Sequence, residues 1–193
     1  VNNLKRIVIG ITGASGIRYA LRIIDVLRKE VDLCVIYTRA ANLVMMDEEK
    51  IDINVIKERY SEVIFYSEDD FSCKYASGSQ DLDAVIVCPC SAATLSSVAN
   101  GLSSNLLERV CDVALKEGTK LVLVFRETPL NLIHIENMRK IAMAGGVILP
   151  ACPGFYNNPK TIDDMVDFVV SKTLNRVGIS NNLLKPWKYE NKS

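Results

Sequence analysis

The stretch Arg6-Ile-Val-Ile-Gly-Ile-Thr12 limits what this chain can become more than any other, because it is nearly all apolar and breaks abruptly at Gly13-Ala-Ser-Gly16. A short run without polar alternation predicts a strand buried on both faces of a parallel sheet. Beyond the break, Tyr19, Ala20, Ile23, Ile24 and Leu27 recur at helical spacing, so the turn delivers small residues to a helix N-terminus. Backbone N–H groups and the positive end of the helix dipole converge there, which reads as a phosphate seat. Glycine and serine also make tight strand-to-helix turns in proteins that bind nothing at that point, and this stretch alone does not separate the two readings.

The same arrangement returns later in the chain. Ala84-Val-Ile-Val-Cys88 is a second buried strand, and it ends in Pro89-Cys90-Ser91-Ala92-Ala93-Thr94-Leu95, where Ser91 is placed to cap a helix. Turns of this kind line the carboxyl edge of a parallel α/β sheet, so two of them on one edge favour a cofactor. Between them, Asp32 to Tyr37 reads as a strand, and Thr38-Arg-Ala-Ala41 opens a helix toward Met46. A dinucleotide enzyme would carry an acid near the end of that strand to bind ribose, and Thr38 stands there instead. A short-chain dehydrogenase is set aside as well: its later glycines fall on Ile17 and Tyr19, and Pro159 between Tyr156 and Lys160 opposes the helix its Tyr/Lys pair needs. Residues 47–50, DEEK, read as a solvated helix end, Val63 to Tyr66 as a short strand, and 69–80 as a long polar loop.

Composition excludes several classes. A chain of 193 residues that is 49% hydrophobic and 24% charged fits one domain with a substantial core. Lys plus Arg equals Asp plus Glu at 23 each, with no basic cluster, so neither nucleic acid nor a membrane surface is an expected partner. No apolar stretch is long enough to span a bilayer and the opening VNNLKRIV lacks signal-peptide layout, so the expected location is cytoplasmic. The six cysteines lie mostly in apolar runs, which predicts reduced, buried thiols. Cys88-Pro-Cys90 is too close for zinc spacing and His134 is the one histidine, so no metal site is expected.

In the second half, Asn105 opens a helix to Glu117 with Leu106, Leu107, Val110, Val113 and Ala114 as its buried stripe. Arg109 and Lys116, seven apart, project from nearly one face about 10 Å apart, as an anion-binding face or a solvated basic edge. Lys120 to Phe125 is a further buried strand, and Arg126-Glu127 at its end is placed to reach a ligand or to form a surface ion pair. Asn131 caps a helix through Ala144, in which packing or exposure explains His134 better than catalysis. Val147 to Leu149 is a last short strand, followed by a Pro/Gly-framed loop with Phe155 and Tyr156, and by a helix from Thr161 to about Val177. The expected organisation is a flavin-binding domain over 1–178 and a tail over 179–193 that docks through Trp187. The predicted fold is a single three-layer α/β domain, Rossmann-like and flavodoxin-like, with a mostly parallel sheet.

Six segments taken in order and spacing carry a family resemblance: TGASG at 12–16, ASGS at 76–79, CPCSAATLS at 88–96, NLLERVCDVALKE at 105–117, RETPL at 126–130 and PGFY at 153–156. The chain resembles the UbiX-type flavin prenyltransferases, also described as aromatic-acid or 3-octaprenyl-4-hydroxybenzoate decarboxylases, from about Lys5 to Trp187. The resemblance implies non-covalent FMN, reduced during catalysis, and transfer of a dimethylallyl group from dimethylallyl monophosphate to N5 and C6 of the flavin without a metal. It further implies a dodecamer built from trimers and a product, prenylated FMN, passed to a UbiD-type decarboxylase.

Carried over by position, Gly13, Ala14 and Ser15 hold the flavin, with Ser15 near N5 as a proton relay. Thr38 stands where relatives commonly have Ser; Ser91, Ala92, Ala93 and Thr94 form a second FMN seat, and Arg126 contacts the flavin. Glu127 sits beside the departing phosphate and acts in proton transfer. Arg109, Lys116, Tyr156, Lys172 and Glu48 surround the dimethylallyl phosphate, partly across a subunit interface. Lys172 replaces an Arg, losing a bidentate grip, and Phe71 replaces a Trp found in some members. Two alternatives are an FMN-dependent cysteine decarboxylase, whose catalytic His and Pro-x-Met-Asn loop find no match in 128–138, and a non-catalytic flavin-binding module.

Overall fold

A computed structural model describes residues 4–184, so the expected docking of Trp187 lies outside the described residues. Six strands form one sheet: β1 (Arg6–Ile11), β2 (Asp32–Tyr37), β3 (Ile64–Ser67), β4 (Ala84–Cys90), β5 (Lys120–Phe125) and β6 (Val147–Pro150). Their order is β3-β2-β1-β4-β5-β6, every pair parallel. Of the doubly wound orders this is the Rossmann one, in which the chain reverses direction between β1 and β4. The two turns singled out in the sequence are the turns that follow these two strands.

The apolar runs become strands because helices cover both faces. One face carries α1 (Ile17–Leu27), α2 (Arg39–Glu48), α3 (Ile53–Arg59) and α7 (Ile162–Arg176), packed on Ile7, Ile9, Ile11 and Val35. The other carries α4 (Ala92–Ala99), α5 (Leu106–Glu117) and α6 (Leu132–Met143), packed on Val8, Ile36, Val85 and Val87. Alternate residues of one strand therefore enter different cores, and both cores are apolar, which is why alternation was missing from the sequence. Gly10 is fixed by this packing: a Cβ there would lie 2.3 Å from Leu107 Cδ1 of α5.

Two boundaries differ from the sequence reading. The fourth strand runs through Pro89 to Cys90 instead of stopping at Cys88, and Cys90 pairs with Phe125 after a register shift. Proline is tolerated because the ladder is irregular there. The polar loop 69–80 contains one 3-10 turn, Lys74–Ala76, whose Tyr75 is buried against α5 and its strands. All six cysteines are free thiols and all but Cys152 are buried. Among the described residues no helix is long and apolar enough to cross a membrane.

Candidate active site

Backbone hydrogen bonds hold the carboxyl ends of neighbouring strands together, Thr12 N donating to Pro89 O (3.3 Å) between β1 and β4, and this edge gathers most of the candidate residues. Thr38 N donates to Ile11 O (3.0 Å), Arg126 N to Cys90 O (3.2 Å) and Ala151 N to Phe125 O (2.9 Å). The turns bearing Gly13, Ala14 and Ser15, Thr38, Ser91 to Thr94, and Arg126 with Glu127 are therefore neighbours. Between the Gly13 and Ser91 turns stands Thr12, which the sequence reading passed over: its hydroxyl donates to Pro89 O (2.7 Å) and accepts from Ser91 N (2.8 Å).

The α1 N-terminus is not the open phosphate seat that the sequence suggested. Gly16, at φ 106, provides no capping side chain, and its N–H donates to both carboxylate oxygens of Glu48 (2.9 and 3.2 Å), while Ile17 N donates to one of them (3.1 Å). Residue 48, expected in a solvated helix end, reaches across from the end of α2 and supplies the anion itself. Burial pushes the Glu48 carboxyl up, but the Ser15 hydroxyl, the two N–H groups and the Arg126 charge outweigh it and hold the pKa below the ordinary glutamate value. Glu49 beside it pairs with Arg18 of α1 (3.2 Å), tying the two helices.

The α4 N-terminus is arranged differently. Ser91 Oγ accepts from Thr94 N (3.2 Å) and donates to Thr94 Oγ1 (3.1 Å), whereas the N–H groups of Ala92 and Ala93 bond to nothing among the described residues. Here a Ser cap leaves two amides at the positive end of the helix dipole without a bond among the described residues, the setting for an anion.

Arg126 is the cation of this edge. Its Nε is buried without a hydrogen-bond partner among the described residues. The guanidinium is close enough to influence both Glu48 and the phenol of Tyr19, whose pKa burial and the neighbouring Cys88 and Cys152 push up and Arg126 pulls back. A buried guanidine N–H without an acceptor is costly unless a bound molecule supplies one, so these residues fit a ligand with acceptor atoms, such as a flavin. Glu127 follows, half-buried, its Oε1 accepting from Thr128 N (3.0 Å).

Thr38 caps α2, its Oγ1 accepting from Ala41 N (3.1 Å), and keeps its O–H for donation. Gly13 has a reason of its own: a Cβ there would lie 2.5 Å from Ala40 Cβ, so packing against α2 already demands glycine.

The remaining candidates separate. Tyr156 packs edge-on against Phe168 (5.5 Å between centroids), and Lys172 Nζ sits 5.6 Å from the same ring, so α7 brings these two together beside the loop after β6. Arg109 and Lys116 go elsewhere. Arg109 donates to Ala76 O (3.1 Å) and pairs with Asp112 (2.9 Å); Lys116 pairs with Glu117 over Gly78. The end of α5 lies at the amino edge of the sheet, where Thr119 Oγ1 donates to Leu82 O (3.3 Å) ahead of β4. Within one chain Lys116 is thus at the opposite edge from Ser15, Ser91 and Glu127. Phe71 is exposed. His134 completes the α6 capping box, accepting from Asn131 N at Nδ1 and donating its backbone N–H to Asn131 Oδ1.

This geometry agrees with comparisons to known proteins. The family model for flavoproteins matches residues 2–174. Flavin prenyltransferase UbiX of Methanocaldococcus jannaschii is 45% identical over 182 residues, covering 94% of this chain and 98% of that relative. The chain belongs to the UbiX flavin prenyltransferases. A crystal structure of AnUbiX in complex with FMN and dimethylallyl pyrophosphate superposes with a TM-score of 0.92 at 31% identity, covering 96% of this chain and 98% of the other. A dodecameric FMN-dependent UbiX-like decarboxylase from Escherichia coli O157:H7 gives 0.90 at 33% identity, over 95% and all of the two chains.

Proposed function

We propose that this member of the UbiX family transfers a dimethylallyl group from dimethylallyl monophosphate to N5 and C6 of reduced FMN, giving prenylated FMN for a UbiD-type decarboxylase. The observation that carries the reading is the carboxyl edge at the β1/β4 reversal, where Arg126, with a buried Nε that has no hydrogen-bond partner among the described residues, follows Cys90 across the sheet and acts on Glu48. Bound there, reduced flavin supplies an electron-rich acceptor for an electron-poor allylic carbon. The residues do the rest. Ala92 and Ala93 N–H groups with the α4 dipole hold an anionic group, and Arg126 donates Nε–H to an acceptor on the ligand. Gly13 and Ala14 leave room for a ring to lie against the turn.

Ser15, beside the ionised Glu48, is placed to relay a proton, and Glu127 to protonate the leaving phosphate. Tyr156 and Lys172 present a hydroxyl and an ammonium to that phosphate from the adjacent loop and helix. Lys116 joins it from a second copy of the chain, since its own edge is the wrong one, and Arg109 comes with it on the same helix. Such assembly, a dodecamer in this reading, is supported by the apolar side chains one chain leaves uncovered: Leu132 (71% exposed), Ile133 (68%), Met143 (74%), Phe155 (71%) and Ile162 (67%). A cytoplasmic location is part of the same reading, and six unpaired thiols agree with a reducing compartment. The cysteine-decarboxylase alternative gains no support from His134, which is committed to a helix cap.

The test is anaerobic incubation of the purified protein with reduced FMN and dimethylallyl monophosphate, followed by mass spectrometry of the extracted flavin. A mass increase of one dimethylallyl-derived unit is expected. FMN bound but returned unmodified, with either the monophosphate or the diphosphate, refutes the transferase reading.

A further inference from the structure

The two turns at the sheet reversal lie on strands 77 residues apart in sequence, and a ligand that spans them needs their separation fixed. Strand pairing does not do this. The β1/β4 ladder runs from Ile7↔Ala84 to Gly10↔Val87 and goes no further, and the β4/β5 register shifts between Val87 and Cys90. Past Gly10, therefore, the strand ends that launch the turns are not held by regular pairing to each other.

Thr12 takes over where the ladder stops. Its backbone N–H and its hydroxyl both donate to Pro89 O (3.3 and 2.7 Å), and the same hydroxyl accepts from Ser91 N (2.8 Å). Residue 89 is proline and has no N–H to donate across the ladder, and the Thr12 side chain, just past β1, adds a link between the two strand ends. The Thr12 side chain is 1% exposed, which leaves both bonds out of competition with water. Ser91 in turn sets Thr94 and the orientation of the α4 N-terminus. One hydroxyl thus joins the residue preceding the Gly13-Ala14-Ser15 turn to the cap of the Ser91–Thr94 turn.

We propose that Thr12 is a positioning residue for flavin binding, holding the first turn and the α4 cap at a fixed separation through its hydroxyl. It touches neither substrate in this account and acts through Ser91 and the following amides. The inference rests on the reading that both turns hold one FMN molecule.

The experiment compares wild type with Thr12→Ser and Thr12→Val at matched protomer concentration, measuring the FMN dissociation constant by fluorescence titration, the visible spectrum of bound FMN, and the melting temperature without flavin. Valine matches threonine in shape but carries no hydroxyl; serine keeps the hydroxyl and loses the methyl. Val is expected to weaken FMN on the order of tenfold and alter the flavin band, with Ser within about twofold of wild type, since two buried hydrogen bonds are lost in one case and kept in the other.

A Val variant that melts earlier yet binds FMN with wild-type affinity and spectrum makes Thr12 merely structural and overturns the proposal. So does a Ser variant as impaired as Val. If Val fails to fold, Thr12→Cys takes its place: a thiol is a weak donor and acceptor, so weakened FMN binding is expected, and wild-type affinity is refuting. Wild-type protein that binds no FMN at all would instead remove the functional reading on which the inference stands.

Discussion

Replacing Glu48 by Gln probes the unexpected arrangement at the α1 N-terminus. The carboxylate accepts from two backbone donors, Gly16 N and Ile17 N, at 2.9 and 3.1 Å, at the positive end of an 11-residue helix. Glutamine keeps one carbonyl oxygen for these donors but loses the charge. Hydrogen bonds to an ionised acceptor exceed neutral ones by about 1 kcal/mol each, and the helix-dipole interaction adds about 0.3–1 kcal/mol. Because Glu48 is only partly buried, solvent reduces that sum to about 2 kcal/mol. For a chain of this size this corresponds to a melting temperature lower by about 4–8 °C at pH 7.

The pH dependence fixes the sign. The folded pKa of Glu48 lies below its ordinary value of 4.5, so its contribution is fully present above that value and is lost as pH falls through the lower, folded pKa. The two proteins should therefore keep their difference from neutral pH down to 4.5 and converge below it, with wild type falling toward the variant. Melting by circular dichroism from pH 7 to pH 3, at one protomer concentration, measures this. Equal melting temperatures at pH 7, or a difference that does not shrink in acid, would refute the reasoning.

Glu127→Gln should retain FMN while losing most prenyl transfer in the mass-spectrometric assay; full turnover would remove Glu127 from the chemistry. Lys116→Ala and Glu127→Gln chains, each inactive alone, should regain about a quarter of wild-type activity when co-assembled at random in equal amounts, because a quarter of the sites then draw both residues intact from different copies. Absence of any recovery would place both residues of a site in one chain or Lys116 outside it. Gly13→Ala should destabilise by about 1–3 kcal/mol through the contact with Ala40, as overpacked sites do, and Ala40→Gly in the same chain should recover part of the loss; thermal melting of wild type and the two variants decides.

What the sequence conveyed depended on how local the cause was. Buried parallel strands announce themselves as unbroken apolar runs, so β1, β2, β4 and β5 were legible, and so were the caps Ser91, Asn105, Asn131 and Thr161, whose partners lie three residues away. Glu48 was not legible, because its partners are 31 and 32 residues distant and depend on how α2 crosses α1. Thr12 was hidden for the same reason: it reads as the last residue of an apolar run, and its function depends on which strand becomes the neighbour of β1. Arg109 and Lys116 were correctly put on one helix, but seven residues of spacing carry no information about which end of the sheet that helix approaches. Since α5 follows β4 and leads back to the start of β5, its last turn must return to the amino edge, and topology could have placed Lys116 there.

The two small-residue turns, nearly repeats in sequence, end up with opposite electrostatic roles, and one residue accounts for the split. At α1 the position before the helix is Gly16 in a left-handed conformation, which offers no oxygen to the first amides, so an outside acceptor is required and Glu48 fills it. At α4 it is Ser91 in an extended conformation, whose hydroxyl satisfies Thr94 and leaves the Ala92 and Ala93 amides without a bond among the described residues. A negative charge is thereby built into one turn, while the other stays open to a negative charge brought by a ligand. Under the proposed function, this division would direct the cofactor's anion to α4. It keeps a carboxylate beside Ser15, the residue to which the proposed function gives a proton relay.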